Sequence, residues 1–359
     1  MIDFSFNISL FQKMWFERLM DTINNHWFDF ALPKDKPVDF LGVMYASPSS
    51  DSEASLVVQD AFIGDFRSRI WLTYRRDFAS LVDKDGVSTG ITSDAGWGCS
   101  IRATQMLVAQ CLMSYKLGRN WRTNETSNEE RRILESIVSI FHDTVEAPLS
   151  IHRMVQTGHA RFGKKPSEWF GPTTGARTIE SLINSEFSNE IGAISFDACE
   201  IISSEVTDLL SANKCVIVLL THRLGLDTFN HARYQGTIQS LFAHPLFQGL
   251  SSGESIASAY YFFAASDDYL FYLDPHTVQP ALVKGQELTP QPKPLRMRWT
   301  RLNPSMTMGF MVQSNEQWKA LCTYFLKIDR ELFDIIEHRR ETPKFTDVSD
   351  ETDEVVLIS

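Results

Sequence analysis

The junction Gly96-Trp97-Gly98-Cys99, followed by an apolar pattern of helical period that runs to Gly118, constrains this chain more than any other feature. The two glycines let the backbone turn sharply, and a single cysteine then stands at the mouth of a helix. Unpaired N–H groups and the positive end of the helix dipole gather at that point, which favours thiolate over thiol. A thiolate held in this way is a nucleophile, and the same N–H groups can stabilise an oxyanion. A packed core cysteine ahead of a helix is the competing reading, since cysteine is among the most buried residue types. The rest of the chain decides between them.

With 359 residues, of which 43% are hydrophobic and 12% aromatic, the chain can bury a sizeable core, as one large domain or as a domain with an insertion. A net charge of −11 argues against a nucleic-acid binder, because phosphate neutralisation needs clustered Lys and Arg. Arg75-Arg76, Arg131-Arg132 and Arg339-Arg340 are isolated pairs. The five cysteines, 99, 111, 199, 215 and 322, show no Cys-x-x-Cys or Cys/His spacing, so no metal is expected, no cofactor is implied, and the thiols are read as reduced. Met1-Ile2-Asp3-Phe4 lacks the basic start of a signal peptide, and the apolar run from Cys215 to Leu220 is too short to cross a bilayer. The expectation is a soluble, cytoplasmic protein.

Residues 8–31 read as an amphipathic helix, Phe40 to Tyr45 as a strand, Ala46 to Ser55 as a loop, and Ile70 to Tyr74 as a strand or buried turn. The helix after Cys99 places Ile101, Met106, Leu107, Cys111 and Leu112 on an apolar side, with Gly118 as its C′ residue. Ser127-Asn128-Glu129-Glu130 is a capping box, Gly158 to Gly175 reads as loop, and Thr178 to Asn184 as a short helix. Cys215 to Leu220 is a buried strand, Tyr260–Ala265 and Tyr269–Leu273 form a hairpin, Met306 to Val312 is a strand, and Ser314 caps a long helix. Helices and strands mix without regular βαβ alternation, so the fold class is α+β. From Glu341 onward acids dominate, and 341–359 reads as a disordered tail.

Asp274-Pro275-His276 closes the second strand of the hairpin. Residues two apart on an extended segment face the same side, so Asp274 and His276 project together. A carboxylate beside an imidazole fixes its tautomer and stabilises the imidazolium, as the base of a nucleophile requires. A surface Asp–His pair in a turn is the bland alternative. Beside a glycine-presented cysteine, the pair completes a Cys…Asp…His set with compatible roles.

The segment Thr92-Ser93-Asp94-Ala95-Gly96-Trp97-Gly98-Cys99-Ser100-Ile101-Arg102, with Gln105-Met106 and Ala109-Gln110 behind it, closely resembles the nucleophile segment of the autophagins. These are papain-like cysteine peptidases that process the ubiquitin-like modifier of autophagosomes. Tyr272-Leu273-Asp274-Pro275-His276-Thr277 resembles their Asp-x-His segment. Further matches in family order are Trp71-Leu72-Thr73-Tyr74-Arg75, Glu168-Trp169-Phe170-Gly171-Pro172, Arg223-Leu224-Gly225-Leu226 and Gly309-Phe310.

The resemblance implies a papain-like peptidase domain over 1–340, with a small helical and loop subdomain inserted at about 125–210, ahead of the tail. It implies Cys99 as nucleophile, His276 as base and then acid, and Asp274 as its orienter. Tyr74 would join the Cys99 N–H in the oxyanion hole, and Trp169 would cover the groove that receives the substrate's terminal glycine. The implied substrate is the modifier, as precursor and as phosphatidylethanolamine conjugate, met by a monomer through transient encounter with a membrane surface. The implied service is autophagosome formation. Gly249 to Ile256, before the hairpin, lacks the proline frequent in the family, yet its Gly and Ser residues suit a mobile gate. In the tail, Phe345-Thr346-Asp347-Val348 has the aromatic-x-x-aliphatic pattern of peptides that add as a strand to such modifiers, and Val355 to Ile358 is a weaker candidate without the aromatic.

Peptidases of the ubiquitin-fold modifier pathway share the GWGC and DPH elements. Trp169 to Pro172, the Thr92 to Asp94 lead-in and the phenylalanine in the tail favour the autophagin reading. A non-catalytic scaffold that binds the modifier is expected to have lost a catalytic group, whereas Cys99, Asp274 and His276 are all present.

Overall fold

A computed structural model describes residues 30–48, 52–187, 189–255 and 258–339. Most of the helix expected over 8–31, the tail 341–359 and its Phe345 and Val348 lie outside the described residues. In chain order the elements are β1 (Val38–Phe40), β2 (Val43–Tyr45), α1 (Glu53–Arg67), β3 (Tyr74–Arg76), α2 (Cys99–Lys116), α3 (Asn128–Ser139), α4 (Ile151–Phe162) and α5 (Pro172–Glu186). There follow β4 (Ile191–Asp197), β5 (Glu200–Ile202), α6 (Ser203–Ala212), β6 (Cys215–Arg223), α7 (His231–Phe242), β7 (Phe247–Ser255), β8 (Ser258–Ala265) and β9 (Tyr269–Leu273). The chain continues through β10 (Val278–Pro280), β11 (Leu295–Arg298), β12 (Ser305–Val312), α8 (Asn315–Ile328) and β13 (Asp334–Ile336).

One large sheet runs β11-β9-β8-β7-β12-β6-β4, and the β1–β2 hairpin joins it along β8. Only the β4–β6 pair is parallel among its neighbours. Cys215 to Thr221 of β6 are buried without alternation. Successive strand residues point to opposite faces, so both faces of the sheet are covered at this strand. Helix α2 lies against β7, β8 and β12, and α5 against β4, β6 and β12. Gly309 on β12 permits the close approach of α2, since a Cβ there would stand 2.7 Å from Leu107 Cδ1. No helix among the described residues is long and apolar enough to cross a membrane.

Several expectations hold in detail: Gly118 has the left-handed conformation (φ 84°) of a C′ residue, and both halves of the Ser127/Glu130 capping box form. Others are revised. Phe40 to Tyr45 is a hairpin, turned at Leu41 (φ 45°) and Gly42 (φ 88°), two adjacent positive-φ residues that match the twist of its strands. Ser52 caps α1, so helix begins inside the stretch read as loop.

Gly158 does not open a loop but lies in α4, whose end is Gly163 in the left-handed region. The ring of Phe170 fills the space that a side chain at Gly158 would need. Helix α5 begins at Pro172, which suits a first helical turn because its missing N–H has no partner to lose. Gly249 to Ser255 is strand rather than loop: Ser251 and Ser252 pair with Tyr261 and Tyr260 on β8. The apolar stripe of α2 is likewise only part of the story. Every residue from Cys99 to Met113 is buried, including Arg102, Thr104, Gln105 and Gln110, each with a hydrogen-bond partner.

Candidate active site

The nucleophile candidate is delivered by a tight turn. The carbonyl of Asp94 accepts from the N–H of Trp97 (3.2 Å) and of Gly98 (2.9 Å), and Gly96 takes φ +87°. Gly98 is the N-cap of α2, and any Cβ there would stand 2.6 Å from Asp94 Cβ. Cys99 is thereby the first helical residue, at the end of the helix where backbone N–H groups point outward. Its thiol is within hydrogen-bond reach of the His276 ring and the Tyr74 hydroxyl, and the Ala259 backbone approaches it from β8.

His276 comes from the turn after β9. Its Nδ1 lies 2.5 Å from Asp274 Oδ1, and the same oxygen accepts the His276 backbone N–H at 2.9 Å. The pair is held by an Asx-type turn rather than by side chains alternating along a strand, because the chain leaves β9 at Leu273 and turns at Pro275 and His276. The Tyr74 ring meets the imidazole edge to face at 5.3 Å, and Tyr260 does so at 5.4 Å. Strand β3 runs parallel to β10, and the Tyr74 N–H donates to the Pro275 carbonyl at 2.7 Å. Tyr74 is therefore fixed to the same segment as His276.

Burial pushes the Cys99 thiol up, but hydrogen bonds from His276 and Tyr74 and the imidazolium charge outweigh it and hold its pKa below the ordinary value. Burial pulls His276 down, while Asp274 and Cys99 raise it to about 9. The two directions agree: thiolate and imidazolium stabilise each other. Burial and the neighbouring thiolate raise Tyr74, so its hydroxyl stays protonated and able to donate. The other four cysteines, 111, 199, 215 and 322, are all pushed up by burial. Cys99 is the one thiol of the five made acidic.

Trp169 packs on the cluster of Tyr74, Cys99, Ala103 and Ala259, and its indole N–H is buried with no partner. A cavity of about 250 Å³ adjoins it, lined among others by Ser100, Arg223, Ser252, Gly253 and Asn303. Cys99, Asp274, His276, Tyr74 and Trp169 are thus brought together.

Sequence reasoning missed Gln291. It is buried, its Oε1 accepts the Asp274 N–H at 2.7 Å, and its Nε2 donates to the carbonyls of Tyr272 (3.3 Å) and Lys293 (2.9 Å). The signal was present as a glutamine between two prolines, Pro290-Gln291-Pro292, in a segment stiff enough to aim it. Trp71, read only as part of a motif, donates its indole N–H to the Asp274 carbonyl at 2.7 Å.

A thiol, an imidazole and a carboxylate in hydrogen-bonded series at a helix N-terminus form the working set of a cysteine peptidase. A model of the peptidase C54 catalytic domain matches residues 59–324, and the chain belongs to this family of cysteine peptidases. It is similar to proteins named probable cysteine protease atg4. That of Sclerotinia sclerotiorum is 34% identical over 292 residues, covering 72% of this chain and 65% of that protein. That of Aspergillus niger is 36% identical over 293 residues, with 72% and 71% covered, and that of Penicillium rubens 33% over 322 residues, with 80% and 79% covered. The chain therefore spans roughly two thirds to four fifths of the length of these relatives.

Proposed function

We propose that this protein is a cytoplasmic, monomeric cysteine endopeptidase that cleaves after the C-terminal glycine of a ubiquitin-like autophagy modifier precursor. The same site would release the modifier from phosphatidylethanolamine, serving autophagosome formation. The observation that carries the reading is geometric: the Cys99 thiol at the head of α2 lies within hydrogen-bond reach of His276, whose Nδ1 stands 2.5 Å from Asp274 Oδ1.

In this reading the Cys99 thiolate attacks the glycine carbonyl carbon, and the π electrons move onto oxygen. The Cys99 N–H and the Tyr74 hydroxyl receive that oxyanion. Collapse expels the amine, which takes its proton from His276 Nε2, and leaves a thioester. Water then attacks the thioester carbonyl with His276 taking its proton, the C–S bond breaks, and the thiolate–imidazolium pair is restored. Asp274 keeps the proton on Nδ1 so that Nε2 faces sulfur.

Cys99 is fully buried beneath Trp169 and Ala259, so those two must part to admit the tail. Glycine suits such a slot because it has no side chain. Phe345 and Val348 are proposed to bind the modifier as an added strand, with Asp347 and Asp350 speeding encounter with a basic partner surface.

The test is incubation with full-length precursors from the autophagy and ubiquitin-fold modifier pathways, with the product C-terminus read by mass. Cleavage after the glycine of the autophagy precursor is expected. Cleavage of only the other precursor would overturn the substrate assignment, and equal rates with phenylalanine in place of the glycine would remove Trp169 from the groove. Liposome-bound modifier should also be released; if it stays intact with enzyme active on soluble precursor, the deconjugating role fails.

A further inference from the structure

The mechanism leaves one fully buried carboxylate in the nucleophile motif unused. Asp94 is 0% exposed and touches both halves of the oxyanion site at once. Its carbonyl closes the turn that presents Cys99, through the N–H groups of Trp97 and Gly98. Its side chain reaches to β3: Oδ1 accepts the Arg75 N–H at 2.5 Å, while the Asp94 N–H donates back to the Arg75 carbonyl at 3.2 Å. Arg75 directly follows Tyr74. The remaining oxygen, Oδ2, accepts from Arg102 Nε at 2.6 Å, and Arg102 is itself buried against Asp143. Gly96, inside the same turn, places its backbone against the Tyr74 hydroxyl.

We propose that Asp94 is the positioning residue of the oxyanion site, clamping the turn that carries the Cys99 N–H to the strand that carries the Tyr74 hydroxyl. The two donors come from elements far apart in sequence, and a carboxylate reads both because each of its oxygens and its own backbone holds a different partner. Arg102 keeps the carboxylate plane in place. The inference rests on the proposed oxyanion role of Tyr74, and the experiment separates the two.

Asp94→Asn is nearly isosteric, but its amide nitrogen cannot accept, so the bond from Arg75 or the bond from Arg102 is lost. With an autophagy-modifier precursor carrying a C-terminal reporter, kcat should fall about 10- to 100-fold and KM should change less than about threefold, because the loss is of transition-state alignment. In a Tyr74→Phe background the same substitution should cost less than about threefold, since the donor it aligns is gone. The pH midpoint for alkylation of Cys99 by iodoacetamide should rise no further than it does in Tyr74→Phe, because His276 still supports the thiolate. A full additional loss in the Tyr74→Phe background, or an alkylation midpoint raised beyond that of Tyr74→Phe, overturns the proposal. A Tyr74→Phe enzyme with unchanged kcat overturns the oxyanion reading instead. If Asp94→Asn fails to fold by near-ultraviolet circular dichroism, Arg102→Lys, which keeps the charge and loses the Nε donor, carries the same double-variant test. Its loss must likewise vanish beside Tyr74→Phe, or the proposal falls.

Discussion

Cys99 and His276 reach the same point from regions of opposite character. The cysteine arm, from Asp94 to Met113, is compact in sequence and almost wholly buried. Its geometry follows from a local turn with Gly96 at positive φ, a glycine at 98 where a side chain would collide, and a helix packed all round. The histidine arm is half open, with side-chain exposures of 29% for His276 and 31% for Asp274. It is held by residues from distant stretches: Trp71 on the Asp274 carbonyl, Gln291 on the Asp274 N–H and β3 on the Pro275 carbonyl. The cysteine is thus placed by its own stretch of sequence and the histidine by its neighbours. The physical reason is dielectric: a thiolate gains from burial only beside a partner charge, and a histidine that exchanges protons needs access to the reacting groups.

The comparison breaks most sharply at sulfur. Cys99→Ala should lower cleavage by about 10⁴-fold or more, since members of such a unit act together. Precursor cleavage followed by gel or mass gives the readout, and activity within tenfold of the unsubstituted enzyme removes Cys99 from the reaction. Asp274→Asn comes next, with kcat expected to fall about 10²- to 10⁴-fold through the wrong tautomer.

The same substitution sharpens the pH argument. His276 must be protonated to sustain the thiolate, and its pKa is raised to about 9, so activity is lost as pH climbs through about 9. The Cys99 thiol is lowered, so the acid limb lies below the usual thiol range. Without Asp274 the alkaline limb should slide down toward the ordinary histidine value near ~6.5. A pH profile of kcat/KM tests both limbs, and an alkaline limb that stays put in Asp274→Asn refutes the attribution.

Gln291→Ala tests whether distant neighbours build the base. It leaves the Asp274 N–H without its acceptor, and kcat should fall about 10-fold, in line with about 1–3 kcal/mol for an unsatisfied buried donor. The pH midpoint for Cys99 alkylation should rise with it, and a variant equal to the parent in both would show that the backbone alone holds Asp274. The smallest effect on chemistry belongs to the helix seat. Gly309→Ala would push a methyl against Leu107, costing about 1–3 kcal/mol of stability by overpacking. Thermal unfolding reads this directly, and an unchanged Tm would show that α2 can shift.

Much of the candidate site was legible because its chemistry is local. Gly96-Trp97-Gly98-Cys99 states a turn and a helix start, and Asp274-Pro275-His276 places a carboxylate two residues from an imidazole. The capping box at Ser127 and the buried strand at Cys215 were readable for the same reason, as interactions within one turn or one strand. What was not legible depended on partners elsewhere. Helix α4 was hidden by Gly158, whose glycine is required by the ring of Phe170 rather than by a turn. Strand β7 read as a loop because its Gly and Ser residues have little strand preference of their own, and pairing with β8 and β12 decides their conformation.

By itself, then, the sequence determined the turn before Cys99, the helix behind it and the closeness of Asp274 to His276. Each is fixed by groups a few residues apart, where covalent geometry leaves few choices. Tertiary structure alone decided that Tyr74 meets both Cys99 and His276, that Gln291 and Trp71 hold Asp274, and that Asp94 bonds to Arg75 and Arg102. Those contacts link stretches up to 203 residues apart, and only the pairing of β3 with β10 and the packing of α2 onto the sheet bring them within hydrogen-bond distance.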